Sequence, residues 1–269
     1  MAERLGLPVL ATPDVNDEAA VARLAAAAPE LCVVVAFGQL LRRAVRDVPR
    51  RGSVNLHFSL LPRWRGAAPV QRAILAGDAT TGACVQRLVA RLDAGAVLAT
   101  APTEIAPDDD AASLRARLVD LGAPLLAETV ARLLGGEELA ATEQDESLVT
   151  LAPKIDVAEA ALDPQAEDAA ALDRRVRALA EWPGARGVLE RPGRGDVTVL
   201  VRRARPEPCA AAAPGSVLAA DGEGVVVATR AGALRITRLQ QEGRREMDAR
   251  DFLNGCRVVP GDRLRAPPA

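Results

Sequence analysis

A continuous apolar run from Leu31 to Ala36 constrains the fold of this chain more than any other feature. A strand that is apolar at every position offers no face to water, which is typical of parallel strands covered by helices on both faces of a sheet. The run follows an alanine-rich helical pattern over 17–28 and is broken at Gly38. The pattern therefore predicts an α/β fold in which strands and helices alternate.

The alternation continues through the first half of the chain. Pro69 fits the first turn of a helix, where its missing N–H needs no partner, and Gly135-Gly136 fits a helix end. We predict strands at 9–11, 53–57, 85–88 and 96–103, and helices at 39–45, 69–76, 113–121 and 124–134.

The second half has a different pattern. A helical stretch at 168–180 is followed by short strands separated by Gly, Pro and Asp, at 197–201, 215–218, 224–229 and 233–239, and then by a helix at 247–254. Short strands with frequent turn signals predict a small β-barrel. We therefore expect a first domain over 1–140, a linker over 141–164 and a second domain over 165–269.

Composition excludes several functional classes. The formal net charge of −2 argues against a strongly basic nucleic-acid-binding protein, for which a pI above about 9 is typical. The four cysteines are widely spaced, so neither a zinc site nor a disulfide framework is indicated, and a reducing cytoplasm fits. No apolar run approaches the ~18 residues that span a bilayer, so membrane roles are disfavoured. Aromatic residues make up only 2% of the chain, which predicts an aliphatic core.

His57 is the only histidine. If 53–57 is a strand, Val54 and Leu56 face the core while Asn55 and His57 project together on the other face. An Asn amide can donate to a developing oxyanion, and an imidazole can exchange a proton near physiological pH. The pair indicates a catalytic site, and the competing interpretation is a satisfied core histidine at a strand end.

Three short motifs follow one another along the chain: Asn55-x-His57, Ser59-Leu60-Leu61-Pro62 and Leu92-Asp93-x-Gly95. Together they resemble the folate-dependent formyltransferases, although Asp93 before a glycine is by itself ordinary turn chemistry. Within that family, the segment from Trp64 to Gln71 is similar to the methionyl-tRNA formyltransferases. Later segments resemble the linker and C-terminal domain of the same group, and these are Ala152-Pro153-Lys154-Ile155, Trp182-Pro183, Ala213-Pro214-Gly215 and Phe252-Leu253-Asn254-Gly255.

The resemblance implies a Rossmann-like formyltransferase domain followed by a small OB-like β-barrel that contacts tRNA. It implies formyl transfer from 10-formyltetrahydrofolate to the α-amino group of methionyl initiator tRNA, by a cytoplasmic monomer that needs no metal. Asn55 and protonated His57 would stabilise the oxyanion, and Asp93 would orient His57 and favour its charged form. The residues expected to hold the folate are Phe37, Gly38, Ser59, Leu60, Leu61, Pro62, Arg91 and Leu92, with a cis bond expected at Leu61–Pro62.

Two alternatives remain open, namely a sugar-nucleotide formyltransferase and an inactive homologue that retains folate or RNA binding. Family members of full length carry at least one further strand–helix unit, of ~30 residues or more, ahead of the segment that Gly6 to Val9 resembles. The chain is therefore expected to begin too far downstream or to be shortened, and the strand at 31–36 is expected to expose an unpaired edge. Phe58 replaces a small residue and Arg91 a glycine of the family pattern, so each either crowds the site or points away from it.

Overall fold

The computed structural model describes residues 2–268, which pack as two compact units. The first unit contains the chain up to residue 67 together with 82–102 and 118–152. The second contains 68–81, 103–117 and the chain from 153 onward. The domain limits at 140 and 165 inferred from sequence stay a prediction.

A four-stranded sheet in the order β1-β2-β4-β5 forms the centre of the first unit. β1 is parallel to β2, with Val35 opposite Leu56, and β4 is antiparallel to β2, with His57 opposite Cys84. The strands are Cys32–Val35 (β1), Ser53–His57 (β2), Thr80–Arg87 (β4) and Val97–Glu104 (β5). A separate parallel pair joins Arg65–Gly66 (β3) to Leu151–Ala152 (β6).

The helices of the first half are Glu18–Ala26 (α1), Arg43–Arg46 (α2), Pro69–Ala76 (α3) and Ala111–Leu134 (α4). Asp17 caps α1 by accepting a hydrogen bond from the Ala20 N–H at 2.6 Å, and Pro69 occupies the first turn of α3 as predicted. Both features follow from the need to satisfy or avoid free N–H groups at a helix start.

Helix α4 is one helix, so the prediction of two helices, at 113–121 and 124–134, is wrong. Pro124 lies inside it, although proline removes a backbone hydrogen bond and crowds the preceding turn. Packing against the sheet overrides this cost on both sides of the proline. An ideal Cβ at Gly122 would lie 3.1 Å from Leu56, and Leu125 and Leu126 pack against the core formed by Val54, Leu56, Ala83, Val85 and Leu133.

Two further predictions fail at surface segments. Residues 9–11 form no strand, and Val9 is 54% exposed. The helix predicted at 39–45 forms only at Arg43–Arg46. Gln39 instead accepts a hydrogen bond from the Val15 N–H and donates one to the Pro13 carbonyl, each at 2.9 Å. These local side-chain bonds compete with a helix in this segment.

The apolar run at 31–36 forms a parallel strand as predicted, but it is not covered on both faces. β1 is an end strand of the sheet, with Val33 and Val35 exposed by 43% and 44%. The expectation that this strand presents an unpaired edge is therefore confirmed within the described part of the chain.

The second unit contains a curled antiparallel sheet of seven strands. Its strand order is β13-β7-β8-β11-β10-β9, with β12 paired to β11. A bridge between Ser216 and Arg263, with the Leu264 N–H donating to the Gly215 carbonyl at 2.8 Å, joins the two ends of this order. The sheet therefore closes on itself in the manner expected of the small barrel.

The strands of this sheet are Ala185–Glu190 (β7), Val197–Glu207 (β8), Val217–Asp221 (β9), Gly224–Ala228 (β10), Ala233–Gln241 (β11), Glu246–Asp248 (β12) and Arg263–Arg265 (β13). The helix Ala169–Ala178 (α5) agrees with the prediction at 168–180, and the helix predicted at 247–254 forms at Ala249–Gly255 (α6), after β12. Strands β7, β12 and β13 were not anticipated. The core of this unit is aliphatic apart from Phe252 and Cys256, as the composition predicts. Among residues 2–268, no helix combines the length and apolar character needed to cross a membrane.

Candidate active site

Strand β2 brings the first two predicted catalytic residues to one face of the sheet. Val54 and Leu56 belong to the core, with exposures of 0% and 6%. Asn55 and His57 alternate with them and are also buried, with exposures of 9% and 6%. The alternation predicted from the sequence is confirmed, because residues of a strand point in turn to opposite faces.

Asp93 lies in the turn between β4 and β5 and reaches the same place. Its Oδ2 atom lies 3.7 Å from His57 Nδ1 and accepts a hydrogen bond from the Gly66 N–H at 2.9 Å. Its Oδ1 atom accepts hydrogen bonds from Gln86 Nε2 at 3.0 Å and from Asn55 Nδ2 at 3.4 Å. The structure thus brings Asn55, His57 and Asp93 together around one buried carboxylate.

The conformation of this turn depends on Gly95. A Cβ atom there would lie 1.7 Å from the Arg87 carbonyl oxygen, so only glycine permits the close approach of the two backbones. Asp93 adopts φ of 47°, in the left-handed region that Asp tolerates better than most residues. Asp93 is therefore a turn residue, as its sequence context indicates, and the turn directs its carboxylate toward His57.

The imidazole of His57 has a defined protonation pattern. Its Nε2 atom lies 2.8 Å from the carbonyl oxygen of Trp64. A carbonyl oxygen only accepts hydrogen bonds, so Nε2 must carry the proton in this arrangement. Nδ1, the other ring nitrogen, faces the Asp93 carboxylate.

The residues expected to hold folate occupy three segments, 37–38, 59–62 and 91–92. Phe37 and Gly38 follow β1, and the parallel register of β1 with β2 puts them at the sheet edge where His57 lies. Phe37 and Leu92 are 47% and 56% exposed. Exposed apolar side chains beside the carboxyl ends of parallel strands are typical of ligand-binding edges.

The Ser59–Pro62 stretch forms a tight loop after β2. Ser59 is fully buried and donates its hydroxyl hydrogen to the Arg63 carbonyl at 2.6 Å, so this hydroxyl holds the loop. Leu61–Pro62 is a cis peptide, as anticipated. Leu60 packs close to Gly82. A Cβ atom added at residue 82 would lie 2.6 Å from the Cδ2 atom of Leu60.

The two departures from the family pattern have partners outside the Asn55, His57 and Asp93 group. Phe58 packs against the cluster that contains Val54 and Leu56, on the opposite side of β2 from His57. The side chain of Arg91 is 63% exposed and pairs with Glu146.

Several supporting residues were missed by the sequence analysis. Gln86 is 1% exposed and stands opposite Asn55 in the β2–β4 register. Pairing the two predicted strands in this register would have placed Gln86 beside Asn55. Gln144 donates its amide to the carbonyl oxygens of Asp93 and Gly95, at 2.8 and 2.7 Å. No sequence pattern marks Gln144, because it lies in the predicted linker.

A buried arginine completes this surrounding layer. Arg65 is 4% exposed, donates from Nε to Gln144 Oε1 at 2.9 Å and pairs with Glu146 at 2.9 Å. The hydrogen bond from Arg65 holds the pKa of Glu146 below its ordinary value, with the charges of Arg65 and Arg91 acting in the same direction. The pairing satisfies a guanidinium that would be costly to bury alone.

Cys84 stands opposite His57 on β4 but is no candidate nucleophile. It is fully buried, and burial raises the pKa of its thiol to about 11. The reactive form of cysteine is the thiolate, which is scarce at neutral pH under these conditions. Within the described part of the chain, no group of three or more His, Cys, Asp or Glu side chains is placed to hold a metal ion.

Comparison with known proteins identifies the family. The sequence model described as formyl transferase matches residues 8–130, and the one described as formyl transferase, C-terminal domain, matches residues 154–257. The chain belongs to the formyltransferase family. Both parts of the formyltransferase architecture, the Rossmann-like domain and the C-terminal domain with its curled sheet, are therefore present.

Curated relatives match this formyltransferase along most of its length. It is 48% identical over 264 residues to the methionyl-tRNA formyltransferase of Halorhodospira halophila, covering 97% of this chain and 82% of the relative. It is 46% identical over 259 residues to the methionyl-tRNA formyltransferase of Methylococcus capsulatus, covering 96% of this chain and 82% of the relative.

Solved structures agree in fold. HypX from Aquifex aeolicus, in complex with tetrahydrofolic acid, aligns with a TM-score of 0.64 at 23% identity over 87% of this formyltransferase and 39% of HypX. An N-formyltransferase from Helicobacter canadensis, in complex with folinic acid and dTDP-3-aminofucose, aligns with a TM-score of 0.64 at 13% identity over 89% of this chain and 81% of that one. At these identities the likeness concerns the fold.

Proposed function

We propose that this chain transfers a formyl group from 10-formyltetrahydrofolate to the α-amino group of methionine on initiator tRNA, at the start of translation. The observation that carries the proposal is the convergence of Asn55, His57 and Asp93 in a chain whose curated relatives are methionyl-tRNA formyltransferases. The C-terminal unit is assigned to tRNA contact, and the active species is expected to be a cytoplasmic monomer.

In the proposed reaction, the neutral amine attacks the formyl carbon and the formyl oxygen becomes negative. Asn55 Nδ2 donates to that oxygen, exchanging its long 3.4 Å contact with Asp93 for a stronger bond to an anion. Oxyanion donors of this kind are worth on the order of 10²- to 10³-fold in rate. Because Asn55 is fixed on a buried strand, only its amide hydrogen bond changes partner when the charge develops.

His57 and Asp93 are assigned to the proton transfers of the reaction. The attacking amine loses one proton and the departing folate nitrogen gains one as the carbon–nitrogen bond of the formyl donor breaks. Nε2 of His57 is held by the Trp64 carbonyl, so Nδ1 is the atom that carries a mobile proton beside the Asp93 carboxylate. A protonated imidazole also stabilises the oxyanion through its positive charge.

The folate is assigned to the edge formed by the loop after β1, the loop after β2 and the turn before β5. The exposed apolar side chains of Phe37 and Leu92 fit the flat aromatic body of a folate. The full set comprises Phe37, Gly38, Ser59, Leu60, Leu61, Pro62, Arg91 and Leu92. The bound folate supplies the activated formyl group, and these residues orient it.

A formylation assay tests the proposal. The purified chain is given 10-formyltetrahydrofolate with either charged initiator tRNA or an amino-sugar nucleotide, and His57→Ala serves as the control. We expect formylmethionyl-tRNA from the unaltered chain, none from the variant, and no formylated sugar. Product on the sugar nucleotide alone, or no product on either substrate, would overturn the assignment.

A further inference from the structure

One segment, residues 142–152, contacts both groups that flank the imidazole of His57. It was assigned to the linker from sequence, but it packs within the first compact unit. It is anchored at one end by reciprocal backbone bonds between Thr142 and Val97, at 2.8 and 2.9 Å, and at the other by β6, which pairs with β3. The segment therefore crosses the site between two fixed points.

The first contact reaches Trp64, whose carbonyl accepts the hydrogen bond from His57. Trp64 adopts φ of 64°, which is rare for a bulky residue. Thr150 fixes this conformation from both sides. Its hydroxyl oxygen accepts from the Trp64 N–H at 2.9 Å, and its carbonyl oxygen accepts from the Arg65 N–H at 2.9 Å.

The second contact reaches Asp93, which also has a positive φ. Gln144 donates to the carbonyl oxygens of Asp93 and Gly95, and Arg65 orients the Gln144 amide by donating to its oxygen. Residues in such sparsely populated backbone conformations persist only where their surroundings hold them. Both supports of the imidazole thus depend on the same short stretch of chain.

We propose that two residues of this segment, Thr150 and Gln144, are positioning residues for His57. Thr150 holds the Trp64 carbonyl at Nε2. Gln144 holds the backbone of the turn that carries Asp93, and in this way it keeps the Asp93 carboxylate beside Nδ1. The kinetic part of this proposal rests on the proposed formyl transfer. The structural part does not, since it concerns the imidazole in the free protein.

The single histidine provides a direct test. The full chain, produced without a histidine tag and with ¹⁵N-labelled histidine, gives one set of imidazole NMR resonances that belongs to His57. Thr150→Val removes the hydroxyl at nearly constant shape, and Thr150→Ser restores it. Gln144→Glu keeps an oxygen for Arg65 but loses the amide donors to Asp93 and Gly95. Ser147→Ala is the matched control, because the Ser147 hydroxyl bonds within the segment, to Asp145.

We expect Thr150→Val to shift the Nε2 resonance and speed exchange of its proton, and Gln144→Glu to shift the Nδ1 resonance. Both variants should lose on the order of 10- to 100-fold in kcat, with KM for each substrate changed less than about twofold. Thr150→Ser and Ser147→Ala should match the unaltered chain in spectrum and rate. Thermal melting establishes that each variant is folded. If either Thr150→Val or Gln144→Glu does not fold, the His57 resonances of the other variant test the proposal.

Unchanged His57 resonances in the folded Thr150→Val and Gln144→Glu variants would overturn the proposal, as would equal shifts in Ser147→Ala. Absence of formyl transfer by the unaltered chain would refute the proposed function, but the comparison of His57 resonances would still decide whether the segment positions the imidazole.

Discussion

The Oδ2 atom of Asp93 lies 3.7 Å from Nδ1 of His57, a separation that is longer than a direct hydrogen bond. The carboxylate is instead fixed by donors from Gly66, Gln86 and Asn55. The position of Asp93 is therefore set by residues other than His57. In the proposed reaction, Asp93 acts on the imidazole through its charge and not through a direct hydrogen bond.

Asp93→Asn tests the role of that charge. The substitution keeps the size of the side chain but removes the negative charge beside Nδ1. We expect kcat to fall on the order of 10²-fold or more, as for loss of a group that supports proton transfer, with little change in substrate KM. Steady-state kinetics measure the effect, and a fall smaller than about threefold would contradict the role assigned to Asp93.

Asn55→Ala tests the oxyanion donor. Removing the amide should lower the single-turnover rate about 10²- to 10³-fold, because no other side-chain amide is assigned to the formyl oxygen. Asn254→Ala, at an exposed position of α6, is the matched control and should leave the rate unchanged when the tRNA is saturating. Equal rates for the two variants would remove Asn55 from the mechanism.

Gly95→Ala tests the turn that aims Asp93. The new methyl group would meet the Arg87 carbonyl oxygen, so the turn must shift. We expect destabilisation of about 1–3 kcal/mol, as for overpacking, together with a loss of activity in the protein that still folds. Gly255→Ala in α6 meets nothing within 4 Å and should be neutral or stabilising by up to about 1 kcal/mol. Chemical denaturation compares the two variants.

Much of this arrangement was predictable from the sequence, because it depends on local patterns. Strand β2 and helix α3 have the predicted bounds, and the Asn55–His57 face follows from the two-residue period of a strand. Helix α4 was divided in error at Pro124, since local propensity argues for a break that packing against the sheet overrides.

The support for the site was not predictable. Hydrogen bonds between positions far apart in the chain join Gln144 to Asp93, Arg65 to Gln144, and Thr150 to Trp64. Polar residues in a segment of irregular structure carry no periodic signal, so nothing in the local sequence distinguished Gln144 from an exposed linker residue. Three-dimensional contacts alone identify this layer.

The ion pair of Glu146 makes a prediction about pH. Hydrogen bonding from Arg65 holds the pKa of Glu146 below its ordinary value of 4.5, so the carboxylate is the form that stabilises the fold. The stabilisation is complete well above pH 4.5 and is lost as the pH falls through the lower pKa of the folded state. The unaltered chain should therefore melt at a higher temperature than Glu146→Gln at pH 7, with the difference shrinking as the pH falls below 4.5.

Glu143→Gln, at an exposed position of the same segment, is the control for this experiment. It should not reproduce the loss of melting temperature at pH 7. A difference between the unaltered chain and Glu146→Gln that grows on acidification would show that the sign of this linkage is wrong.

In the proposed function, Asn55, His57 and Asp93 act as one unit on a single formyl group. Single-turnover formylation of charged initiator tRNA by Asn55→Ala, His57→Ala, Asp93→Ala and the triple variant tests it directly. If the residues act together, the triple variant should be about as slow as the slowest single variant. Losses that multiply across the three positions, or a His57→Ala rate equal to that of the unaltered chain, would contradict the account.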